Sequence, residues 1–264
     1  MLNDANSEIG PLAGVLVIDA SDSRGEMCGR MLADLGACVL KIEPHDGVNT
    51  RSLKPIDVSN GESLYWAHVG AGKQSLSMNM DSEDDRSQLY KLISGADIFI
   101  ESSPIGQMSE LGFGYADLSA LNERLVYVSI SPYGQTGPKS DWPATDFTIE
   151  AAAGLTTLQG DGVWPPLAIG FPLASFHCGG LAAADVTPLL QKAEATIPAS
   201  RCRTLLFAVV CCWPLRVSAA QPTACMQVDD EGKDAVAVLA EEKRNGVNTS
   251  PASICDWILL RTFW

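Results

Sequence analysis

The chain has 264 residues, 46% of them hydrophobic and 19% charged, a composition ordinary for a globular protein and long enough for one large core or two smaller ones. Its formal charge of −14 argues against a surface for nucleic acid or anionic lipid, because such a surface needs clustered Lys and Arg to neutralise phosphates. The excess is uneven: residues 1–184 hold 10 Lys/Arg against 23 Asp/Glu, and residues 185–264 hold 8 against 9.

Residues 1–10 are polar and read as a frayed lead-in. No basic stretch followed by an apolar one marks a secretory signal there, so a cytoplasmic chain is expected. An apolar strand, Val15 to Ile18, then ends at Asp19 and gives way to a polar loop. Met27, Cys28, Met31, Leu32 and Leu35 recur at helical spacing, Gly36 stops the helix, and a second apolar strand runs from Cys38 to Ile42. Strand, helix and strand within about thirty residues spell a βαβ unit with a parallel pair. In open α/β sheets the loop after the first strand faces the ligand crevice, so Ser21 to Glu26 is the first candidate binding segment. Next, Lys73 to Met80 alternates polar and apolar residues like a strand with one wet face, and Ser82 with Asp85 three residues on reads as the start of a helix. Strands at Asp97 to Glu101 and Leu125 to Ile130 follow. The segment PYGQTGP (Pro132 to Pro138) reads as an ordered loop, again on the ligand side. Helical character returns over Asp146 to Leu158 and at Leu173 to Ala184. The alternation as a whole defines a doubly wound α/β protein.

From Asp185 onward that rhythm is lost: Pro188 breaks the helical pattern, five of the eight cysteines fall in residues 185–264, and the charge turns near neutral. The apolar run Leu205 to Leu215 is too short for a membrane span and contains Pro214. Cys28 and Cys38 read as small core residues. The later cysteines have no C-x-x-C pair, so no metal is expected.

Five segments in register resemble the class III CoA-transferase family, also called CaiB/BaiF: PLAGVLVID, GRMLADLGACVLKIEP, ADIFIESSPIGQMSELGF, LSALNERLVYVSISPYGQTGP and DWPATD. The resemblance covers Pro11 to Ala184. It implies a Rossmann-like parallel sheet with helices on both faces over residues 11–184, followed by an atypical segment, 185–264, in place of the family's small second domain. It also implies no tightly bound cofactor, with coenzyme A or an acyl-CoA as substrate alongside a carboxylic acid. Carried over residue by residue, the CoA contacts fall at Ser23, Arg24, Gly25, Met78, Ser102, Leu111, Ser131 and Tyr133.

The family attacks the thioester with an Asp carboxylate, which the register places at Ser175 or Phe176, so no catalytic residue carries over. An acyl-serine is an oxygen ester, lower in energy than a thioester, so Ser175 is no simple replacement. His177 stands two residues away and points to another side of a helix. The racemase branch of the family needs a His where this chain has Thr145, which disfavours an acyl-CoA racemase. Pro44, Ser102 and Glu110 also replace ligand-binding types, while Lys41 and Lys73 match the family text and read equally well as structural lysines.

Three readings follow: a CoA-transferase relative, in a branch with another nucleophile or with little activity; a non-catalytic CoA-binding subunit that pairs with an intact paralogue; and a plain α/β domain. Family members form an interlocked homodimer, which this chain is not expected to assemble.

Overall fold

The computed structural model describes residues 10–158, 167–194 and 200–205. The expectations for residues 1–9 and for the later cysteines beyond Cys202 lie outside these residues. In chain order the elements are β1 (Leu16–Ala20), α1 (Glu26–Asp34), β2 (Cys38–Glu43), α2 (Leu64–Val69), β3 (Lys73–Ser77), α3 (Glu83–Ser94), β4 (Ile98–Glu101), α4 (Gln107–Glu110), α5 (Tyr115–Leu121), β5 (Val126–Ser131), α6 (Asp146–Ala152), α7 (Leu173–Glu194) and β6 (Ser200–Leu205). The strands form one parallel sheet in the order β3-β2-β1-β4-β5-β6. The order reverses between β1 and β4, so the crevice for a ligand lies beyond their carboxyl ends.

Side chains alternate across the sheet as a strand's period of two requires. Val17, Val39, Ile98, Ile100, Val126 and Val128 face the core shared with α1, α6 and α7. Ile18, Leu40, Phe99 and Tyr127 face the other core, which α3 and α5 cover with Leu89, Ile93 and Leu118. Helix ends follow local chemistry. Gly36, at a φ of 96°, ends α1 while the Ala37 N–H returns to the Leu32 carbonyl. The Ser82 hydroxyl accepts the Asp85 N–H at the start of α3. Strand β3 stops at Ser77, short of Met80, because Asn79 turns the chain: its Oδ1 accepts the Asp81 N–H at 3.0 Å and its own N–H goes to Asp85.

The break expected at Asp185 is not where the fold ends. Helix α7 continues past Pro188 to Glu194, and β6 adds a parallel strand against β5, with Val126 opposite Ser200. The reason is tertiary: Ala182, Ala183, Val186 and Leu190 are buried against the sheet, and that packing carries the helix across the one N–H that Pro188 lacks.

Helices α1 and α7 meet at Gly179, where a Cβ would stand 2.7 Å from the Met27 Cβ and 2.8 Å from the Cys28 backbone nitrogen. Backbone cannot yield as a flexible side chain can. Gly179→Ala is expected to lower stability by about 1–3 kcal/mol, read as a lower urea midpoint at unchanged slope.

Candidate functional site

The crevice is built on a buried charge. Asp19, near the end of β1, is fully buried and stands in register with Lys41 on β2. Its Oδ1 lies 3.3 Å from the Lys41 ammonium and also accepts the Ser21 N–H at 3.0 Å and the Ser21 hydroxyl at 2.6 Å. Its Oδ2 accepts from the Lys73 ammonium at 2.8 Å. Lys41 also donates to the Ser21 carbonyl, and Lys73 donates to the Glu26 carbonyl at 2.7 Å. Lys41 further approaches Glu26, the first residue of α1, at 3.9 Å, and Thr50 donates to the same Glu26 oxygen at 2.8 Å. The two lysines that match the family text are both buried and engaged in holding Asp19 and the loop after β1. A lysine in the middle of the apolar run VLKIE was the available signal, since such a position is buried and demands a partner.

Burial by itself would raise the Asp19 pKa. The Lys41 and Lys73 charges, with hydrogen bonds from Lys73 and Ser21, outweigh it and hold the pKa at about 2. For Glu26 the balance goes the other way: burial raises its pKa, and Lys41, Thr50 and Lys73 recover only part of the shift. Farther along β2, Glu43 is held at about 2, chiefly by hydrogen bonds from Arg51, whose guanidinium also lies over the Trp66 ring, 4.2 Å from its centroid.

The loops after β1 and β4 are tied together across the switch point. Ser102 accepts the Asp22 N–H and donates its own hydrogen to the Asp22 carboxylate, both at 2.7 Å. Arg24 forks onto that carboxylate and reaches the Ser102 carbonyl at 2.6 Å. At Gly25 there is no room for a side chain, because a Cβ would lie 2.5 Å from the Ser21 Cβ and 3.2 Å from Ile130 at the end of β5. Ser23, Arg24, Gly25, Ser102 and Ser131 lie at or just beyond the carboxyl ends of β1, β4 and β5. Tyr133 is half-buried there against Trp142. Met78 is instead 4% exposed, within the core under α3, and Leu111 packs onto that same core. Beside this edge a cavity of about 240 Å³ is lined by Glu101, Pro104, Ile105, Ser109, Tyr127, Ser129 and Gln135. Burial raises the Glu101 pKa, and bonds from Ser129 and the Ser103 N–H only partly offset it.

At the start of α7, Ser175 is buried, and its hydroxyl partner is Asp146 rather than His177. Phe176 is stacked on His68 and meets Tyr65 and Phe171 edge-on, so it joins α7 to α2. Among the described residues no cluster could hold a metal ion, and no helix is long and apolar enough to cross a membrane.

The fold and its strand order define a doubly wound α/β domain, and comparison with known proteins makes its family specific. The chain belongs to CoA-transferase family III, whose sequence profile matches residues 12–237 and so runs beyond Ala184. It is 38% identical over 174 residues to the acetyl-CoA:oxalate CoA-transferase of Acetobacter aceti, a match covering 65% of this chain and 44% of that protein. To the human succinyl-CoA:glutarate CoA-transferase it is 33% identical over 193 residues, 72% of this chain and 44% of that one. A crystal structure of a CAIB/BAIF family protein from Brucella suis superposes with a TM-score of 0.73 at 30% identity, covering 76% of this chain and 55% of the other. The chain spans less than half the length of these curated relatives.

Removing one of the two lysines would leave Asp19 charged and under-paired. Lys73→Met is expected to cost about 3–5 kcal/mol at pH 7. In the native chain the Asp19 pKa is depressed, so its contribution is present above the unfolded value near 4 and fades as the pH falls toward about 2. The gap between Lys73→Met and wild type should therefore narrow over that window, measured as urea midpoints from pH 6 to pH 2.

Proposed function

We propose that this chain binds coenzyme A thioesters at the crevice between the loops after β1 and β4 and takes part in moving CoA between an acyl-CoA and a carboxylic acid. The observation that supports this most is the cross-link of Asp22, Arg24 and Ser102 at the switch point of a family III chain. It fixes a polar rim where a phosphate-bearing ligand would lie. The related transferases are named for acetyl-CoA with oxalate and for succinyl-CoA with glutarate, so small dicarboxylic acids are the first acceptors to try.

A second reading is favoured by Ser175: a CoA-binding component that works beside a chain with an intact nucleophile. Phe147, Phe171 and Leu181 on and before α6 and α7 are all more than 45% exposed, an apolar surface that such a partner, or a second copy, would cover.

Binding should be weak, about 10 μM or worse in Kd. Arg24 is already committed to Asp22, and Pro44 and Glu110 add no donor. Titration calorimetry with CoA should show Arg24→Glu losing at least about tenfold in affinity. Unchanged affinity in that variant would remove the proposed placement. Transfer from labelled acetyl-CoA to oxalate, or from succinyl-CoA to glutarate, separates the two readings.

A further inference from the structure

The cavity beside the crevice opens on the face of the sheet that α1 does not cover. Side chains alternate along β4, so Glu101 shares a side with Phe99, which belongs to the core under α3 and α5. Glu101 stands in register with Ser129 on β5, and Tyr127 lies two residues before Ser129 on the same face. These three residues floor the cavity of about 240 Å³, and Pro104, Ile105 and Met108 wall it from the loop after β4 and from α4. That is room for about eight water molecules, or for an organic molecule of similar size. Ile105, 41% exposed, reaches solvent at the rim.

The floor presents acceptors. Gln135 gives an Nε2 hydrogen to the Ser129 oxygen at 2.7 Å, and the Ser129 hydroxyl bonds in turn to Glu101. A Glu101 oxygen also takes the Ser103 N–H at 2.8 Å. An ionised carboxyl offers about four acceptor sites, so these two bonds fix the group and leave about half of its capacity open. Glu101 is only 4% exposed, and no basic residue lines the cavity among the described residues. Arg24 acts on Glu101 from the loop after β1, but it is forked onto Asp22. Burial therefore keeps the Glu101 pKa above the ordinary carboxyl value, and the bonds from Ser129 and Ser103 with the Arg24 charge offset it only in part.

We infer that this cavity is a binding site for a small primary ammonium compound with a short apolar tail, the ammonium seated against Glu101 and the tail along Ile105 and Met108. An ammonium has three donors and no acceptor, which suits such a floor, and its charge supplies the counter-ion that the buried carboxyl lacks. An anion of the same size would meet the Glu101 charge and the −14 charge of the chain. A neutral molecule would gain the apolar wall alone.

The test is a titration of the full-length, isotope-labelled chain with n-hexylammonium chloride, followed through its backbone amide resonances. Hexanoate and n-hexanol serve as the anionic and neutral compounds of matching length. Saturable shifts at Ser103, Gly106, Ser129 and Gln135 are expected with hexylammonium, at an affinity at least about tenfold above that of hexanol, and none with hexanoate. Glu101→Gln should lose that tenfold preference. Its amide oxygen can still accept the Ser103 N–H, and an otherwise unchanged spectrum shows that the variant folds; if it does not fold, the wild-type comparison of the three compounds decides alone. Equal binding of hexylammonium and hexanol, the same shifts with hexanoate, shifts confined to other residues, or a preference kept in folded Glu101→Gln would overturn the inference. CoA takes no part in these measurements, so failure here leaves the reading of the crevice untouched.

Discussion

The rest of this fold depends on one charge in the wrong place. Asp19 lies inside the sheet with no access to water, where an unpaired carboxylate would cost several kcal/mol. Its two ammonium partners come from different strands, Lys41 at the same register on β2 and Lys73 at the start of β3. The pairing fixes more than the strands. A Cβ at Gly29 would lie 2.4 Å from the Asp19 Oδ2, so α1 can pass over the cluster only with glycine at that position. The same lysines hold the Ser21 carbonyl and the Glu26 carbonyl, which are the two ends of the loop that rims the crevice. The shape of the loop after β1 is thus a consequence of how a buried carboxylate is neutralised.

That solution leaves the ligand edge poor in free cations. Lys41 and Lys73 face inward and are spent on Asp19 and Glu26, and Arg24 is folded back onto Asp22. Meanwhile Glu101 and Asp146 stand at the same edge, and both act on Arg24. The −14 charge of the whole chain adds no attraction for a phosphate. A phosphate-bearing ligand at this edge would therefore meet hydroxyls and backbone N–H groups held by the Asp22–Ser102 link, and Arg24 only by competing with Asp22 for it.

The sheet was legible in the sequence because β1, β2 and β4 are mostly apolar runs, β3 alternates polar and apolar residues, and Gly36 and Ser82 mark helix ends. Doubly buried parallel strands leave such apolar runs. What resisted reading has a common cause. Pro188 is a helix breaker by local rules, but Val186 and Leu190 are buried on the sheet, and that packing is invisible to a window of neighbours. Lys41 inside VLKIE signals burial, but its partner Asp19 and the part played by Lys73 emerge only when β1, β2 and β3 are set side by side. Along the chain Ser175 has His177 two residues on, on another side of the helix, while its hydrogen-bond partner Asp146 lies 29 residues away on another helix. Contacts made by folding, rather than by sequence proximity, decided all three.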